Sequence, residues 1–292
     1  MTTFSTGPAS YTGSTDVSLP SVAQSRIQHI SQAGSAASSM LAGSDYLLLD
    51  AMGFEPVAAV MGLSVVHLGQ IQVAGLKSAV EIEAHSQART MGWANAMTRM
   101  RQEAEQLGAD GVFVHTMNAA RFDGEEHEYS VKGTALRLRS QPGALRTPSG
   151  QPFSCHCSAM LLYQYLRRGL CPVAVRYDCC VYHVPHRTLR QALGQTFQNT
   201  EVPVFTDGWY TGREIALSRL HTSLEQAGAE LVLSVSLEEN EGGMEHTSEF
   251  RAFGRGWRRM PQLAELIPEV DLVPSSLIDR DGLYPTTSPR TP

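Results

Sequence analysis

One stretch of this chain occurs twice. Glu128-Tyr129-Ser130-Val131-Lys132-Gly133-Thr134-Ala135-Leu136-Arg137 returns as Glu249-Phe250-Arg251-Ala252-Phe253-Gly254-Arg255-Gly256-Trp257-Arg258. Upstream of each copy stands a matching helix end, Glu105-Gln106-Leu107-Gly108-Ala109 and Glu225-Gln226-Ala227-Gly228-Ala229. Earlier still, Pro56-Val57-Ala58 matches Pro172-Val173-Ala174, and His67 matches His183. A repeat of this length implies two copies of one small domain rather than one large fold. The 292 residues leave room for both copies and for tails.

Each copy reads as helix, strand, longer helix, strand, strand. The opening turns are Asp45 to Met52 and Ala159 to Arg168, followed by Val-rich strands from Pro56 to Leu68 and from Pro172 to Val184. Met97, Met100, Ala104 and Leu107 mark one buried helix face, and Leu217, Leu220, Leu224 and Ala227 repeat it. Thr211-Gly212-Arg213-Glu214 has the form of a capping box that starts the second long helix. Gly108 and Gly228 stand where a left-handed C-cap is wanted. Strands from Gly111 to Met117 and Leu231 to Leu237 then turn through polar hairpins at Asp123–Glu126 and Glu238–Gly243. Each strand returns over 128–139 or 249–259. The fold class is α+β: two tandem two-layer domains, each an antiparallel sheet under one long helix. So thin a sheet needs a partner on its second face, which predicts a homo-oligomer.

The boundaries follow from composition: a flexible Ser/Ala/Gly-rich arm over 1–43, repeat 1 over 44–140, a linker over 141–153, repeat 2 over 154–259 and a Pro-rich tail over 260–292. A short helix is expected from Ser21 to His29. A net charge of −6 argues against nucleic acid as a partner. No apolar run approaches membrane-span length, and the first residues lack a signal-peptide pattern, so the expected compartment is the cytoplasm.

The helix ending Glu-Ala-Glu-Gln-Leu-Gly-Ala-Asp-Gly-Val, with the strand, hairpin and Glu-Tyr-Ser-Val-Lys-Gly-Thr-Ala after it, resembles the YbjQ-like family, a domain described as heavy-metal-binding. Glu55 to Arg139 is the nearer match. Cys171 to Arg259 diverges, with Gly-Arg-Gly-Trp in place of Gly-Thr-Ala-Leu. The resemblance implies dodecin-like subunits in five-membered rings, hence a pentamer of stacked rings. It also implies display of the arm and tail to a protein partner.

All five cysteines fall in repeat 2. Cys155-His156-Cys157, with Cys171 as a third thiolate, offers soft ligands suited to zinc or copper. The competing reading packs these residues as small apolar groups, the commoner fate of a free cysteine. Cys179 and Cys180 point to opposite faces of a strand and belong to the core or an interface. His115 and His127 could meet across the first hairpin. No Gly-x-Ser-x-Gly, Walker or His-Glu-x-x-His motif is present, so no enzyme and no catalytic residue is expected. The reading is a non-enzymatic, ring-forming binding protein without a cofactor. Its alternatives are a metal-binding or metal-sensing protein and an enzyme with a small-molecule site at a subunit interface.

Overall fold

The computed structural model describes residues 17–32, 38–69, 78–185, 201–242 and 246–270. Repeat 1 contains α2 (Gly43–Ala51), β1 (Phe54–His67), β2 (Val80–Glu81), α3 (Glu83–Gln106), β3 (Gly111–Asp123) and β4 (Glu126–Leu138). After it come β5 (Phe153–Cys155), α4 (Ala159–Leu166), β6 (Leu170–His183), α5 (Pro203–Gln226), β7 (Leu231–Glu241) and β8 (Thr247–Arg259). Helix α1 (Ser21–Gln32) precedes this frame and α6 (Leu263–Leu266) follows it.

Two four-stranded sheets result, ordered β1-β4-β3-β5 and β2-β6-β8-β7. The shared orders β1-β4-β3 and β6-β8-β7 bear out the duplication, down to the bulges at Pro56/Ala58 and Pro172/Ala174. Helix packing is duplicated too. Gly92 lies against the Tyr129 ring, and Gly212 against the ring of Phe250. Added Cβ atoms would stand 2.4 and 2.5 Å from those rings, so each glycine is required by close approach. Arg99 donates to the Leu63 carbonyl at 2.8 Å, and Arg219 to the Cys179 carbonyl at 3.1 Å. Met100 and Leu220 are both fully buried.

The repeats are not separate beads. β2, from repeat 1, pairs with β6 of the second sheet, while β5 pairs in parallel with β3 of the first. Helix α3 packs on β1 and β4 with one side and on β6 with the other. Trp93 joins the layers: its ring is 5.3 Å from Tyr129 and stacks 4.4 Å from Tyr177. Helix α5 covers the opposite face of the second sheet. That sheet therefore has its second face covered within the chain, where the sequence suggested a second copy.

Several boundaries need correction. The 141–153 segment is built in, because Leu145 and Phe153 are fully buried. The arm docks where it is described: Leu19 and Ile27 are buried, and Arg26 pairs with Glu103 at 2.5 Å. Residues 1–16 and 33–37 of that arm lie outside the described residues. Leu263 and Ile267 of the tail enter the core, and 271–292 lie outside the description. α5 starts at Pro203, not Thr211, whose hydroxyl donates to the Asp207 carbonyl inside the helix. Proline in the first turn starts the helix, and a threonine back-bonding one turn earlier is tolerated within it.

Candidate functional site between the two repeats

Where the far ends of the two sheets face each other, a cleft of about 560 Å³ opens. His85 and Arg89 of α3 reach it from one wall, Tyr129 and His127 of β4 from another, and Glu249 and Arg251 of β8 from the third. Alternation along β8 places Glu249 and Arg251 on the face opposite Phe250, which packs under α5. Arg89 donates to Glu249 at 3.1 Å, with both side chains nearly sealed from solvent. Arg251 donates to the same carboxylate at 3.4 Å. This pair spans the repeats, and a buried charge needs such a partner.

Burial lowers the pKa of His85 and of His127, and the Arg89 guanidinium lowers both further. Both imidazoles are thus neutral at pH 7. Burial also raises the Tyr129 phenol and the Cys179 thiol, so both stay protonated. Among the described residues, His85 Nδ1, Arg89 Nε and Arg251 Nε are buried without a hydrogen-bond partner. The arrangement suits a small molecule with both donors and acceptors. A buried, protonated thiol is not an activated nucleophile.

The cysteine-histidine constellation lies elsewhere. Cys155 ends β5 inside the apolar cluster that holds Phe113, Phe153 and Trp257. Its thiol is hydrogen-bonded to Cys157. That bond and burial raise the Cys155 pKa, and the same bond, with Cys157 as the receiving sulfur, lowers that of Cys157 against the opposing effect of its burial. His156 turns its Nδ1 to the Val114 carbonyl at 2.9 Å and sets its ring edge-on to Phe253. Cys171 contacts the Leu145 carbonyl at 3.7 Å, and burial raises its pKa to about 11. Among the described residues, no group of three or more His, Cys, Asp or Glu is placed to hold a metal ion. The expected zinc or copper ligands are therefore not gathered into one set: Cys155 and Cys157 bond each other, while His156 and Cys171 are turned to the Val114 and Leu145 carbonyls. His115 and His127 also stay apart: His115 bonds Thr134 at 3.0 Å, whereas His127 pairs across the strands with Arg121. His67 and His183 keep equivalent places, bonded to Glu126 and Thr247.

The cleft was not anticipated from sequence. Its one legible signal was the pair Glu249 and Arg251, charged residues on the inward face of a strand whose other face is apolar. Among the described residues, no helix is long and apolar enough to cross a membrane.

No family model matches the chain, and no solved structure matches it. Among curated proteins it is similar to "Encapsulin nanocompartment protein Rv1762c" of Mycobacterium tuberculosis (strain ATCC 25618 / H37Rv). The identity is 38% over 245 residues, covering 83% of this chain and 92% of that protein. This relative overturns the expectation of a YbjQ-like ring-forming protein or a heavy-metal binder or sensor. The α+β class stands, while the YbjQ-like resemblance gains no support.

Proposed function

This chain belongs to the same family as that encapsulin nanocompartment protein, and from this we propose that it is a protein component of such a nanocompartment, acting in the cytoplasm by association rather than catalysis. The observation that carries the reading is a similarity extending over nearly the whole of a relative so named.

The interior of the chain supplies a pattern for self-association. Val175, Tyr177 and Cys179 of the second sheet pack in one core with α3 and with Met117 and Ala119 of β3. The equivalent face of the first sheet carries Met61, Leu63 and Val65, exposed by 44%, 40% and 49%. Thr90 of α3 accepts from the Cys179 N–H at 3.1 Å in that internal contact, and the repeat-2 counterparts of Thr90 and Met117 are Tyr210 and Leu237, exposed by 55% and 36%. A second copy seating its first sheet on α5 and β7 would repeat the internal contact. Such a contact uses two different patches, so it extends beyond a dimer.

Fractionation of cells producing the tagged full chain tests the main reading. The chain should travel with large protein particles seen by electron microscopy, either as wall or as enclosed protein resistant to added protease. Recovery solely as free protein, away from any particle, refutes it. Light scattering tests the contact: Leu63→Glu and Tyr210→Glu should each give the 31.8 kDa monomer. Their equimolar mixture should stop at a dimer, since only one junction remains intact. Undiminished self-association of either variant refutes the proposed surfaces.

A further inference from the structure

A second, smaller pocket of about 250 Å³ lies away from the cleft, between α3, β6, α5 and the segment joining the repeats. Arg101 of α3 and Arg176 of β6 both line it. Ser149 and Gln151 close it from the joining segment, and Ser223 and Gln226 from α5.

The two guanidiniums are the unusual feature. Burial, and secondarily repulsion from Arg176, lowers the pKa of Arg101 to about 9. Burial likewise lowers the pKa of Arg176. Neither has a hydrogen bond or an ion pair to any described residue, and Arg101 Nε is buried without a partner among them. The acid acting on Arg176 is Asp178, whose carboxylate accepts instead from the Ser223 hydroxyl at 2.6 Å. Glu105 attracts Arg101 only as the smallest of the influences on it. Two half-buried, mutually repelling cations cost free energy unless an anion sits between them. The duplication shows that the fold does not require the pair. His221 occupies the place of Arg101 on α5, and Val60 that of Arg176 on β1.

We propose that this pocket binds a phosphate group, free or at the end of a small organic phosphate, through the guanidiniums of Arg101 and Arg176. Planar guanidiniums present paired donors that match tetrahedral oxyanions. The Ser149 hydroxyl and the Gln151 amide from the joining segment, and the Gln226 amide from α5, supply further neutral donors. The volume lies just below the roughly 300–1,000 Å³ of sites that take drug-sized ligands, which favours a small anion over a nucleotide. The segment between the repeats thereby becomes one wall of a site. An anion there would tie α3 of repeat 1 to β6 and α5 of repeat 2. This inference does not depend on the nanocompartment reading.

Calorimetric titration of the full chain with inorganic phosphate, sulfate or glycerol phosphate tests it, at ionic strength matched with chloride. Saturable one-to-one binding of phosphate or glycerol phosphate is expected. Arg101→Gln and Arg176→Gln should each weaken it by about tenfold to a hundredfold, as for loss of one charged hydrogen-bond donor. In phosphate-free buffer the same variants should melt at or above the wild-type temperature, because one of two repelling charges is gone. A merely structural arginine would lower it. Tighter binding of glycerol phosphate than of inorganic phosphate assigns an organic phosphate, and the reverse order assigns the free anion. Should either variant misfold, Ser149→Ala, on the exposed segment, replaces it and should weaken binding several-fold. The proposal is overturned if no anion binds saturably to the wild type at about 10 mM, or if binding survives loss of either arginine unchanged.

Discussion

Replacing Trp93 tests whether one helix serves both sheets. Its side chain is 2% exposed, touching Tyr129 of the first sheet and Tyr177 of the second. A buried tryptophan removes about 150–250 Å² from water. At ~25 cal/mol per Å² that is about 4–6 kcal/mol, and measured losses on truncation to alanine run about 3–5 kcal/mol. Trp93 Nε1 is also buried without a partner, an expense of about 1–3 kcal/mol already present in the native protein. Trp93→Phe discards that donor along with part of the ring, so its net effect should stay within about 1.5 kcal/mol. Trp93→Ala should lose about 3–5 kcal/mol in urea denaturation followed by far-ultraviolet circular dichroism. A double-mutant cycle of Trp93→Ala with Tyr177→Leu isolates the contact between repeats and should give about 0.5–1.5 kcal/mol. Additivity within about 0.3 kcal/mol, or equal losses for Phe and Ala, would refute the bridging role.

Gly92→Ala and Gly212→Ala should each lose about 1–3 kcal/mol or more in the same assay, since both drive a methyl into an aromatic ring. Similar losses at both sites would support the duplicated packing, and a neutral result at either would contradict it. Glu249→Ala strands Arg89 in the cleft and should lose about 3–5 kcal/mol, while the apolar pair Arg89→Met/Glu249→Leu should recover most of this. Burial, and secondarily His156, lowers His115 from 6.5 to about 4 in the folded protein. The unfolded chain therefore takes the proton first, so stability is full above pH ~6.5 and falls as pH drops toward 4. At ~1.36 kcal/mol per unit the ceiling is about 3.4 kcal/mol, and screening of the partly exposed ring brings it to about 2. His115→Gln should flatten the melting temperature over that range relative to the wild type.

The amino-acid order by itself determined the duplication, the order of elements in each copy and the buried helix faces. These are local properties. Helical spacing places Met100 and Leu220 on one face, and alternation with a tight glycine turn makes Gly111–Leu138 a hairpin. Sequence also carried Gly108 and Gly228, whose φ of +69° and +91° close both long helices. What it could not carry was the relation between the copies. Nothing local distinguishes an α3 covered on two sides from an α5 covered on one. Val80–Glu81 and Phe153–Cys155 are too short to announce themselves as strands of the sheet each one joins. The sites arise only there. Arg101 and Arg176 stand 75 residues apart and look like ordinary surface cations until the packing of α3 on β6 encloses both. Cys155, His156 and Cys157 show the converse. Their proximity in sequence suggested a shared ligand, but alternation at the strand end sends His156 away from the two cysteines that flank it. Cys155 and Cys157 bond each other, and tertiary packing turns His156 between them away to the Val114 carbonyl.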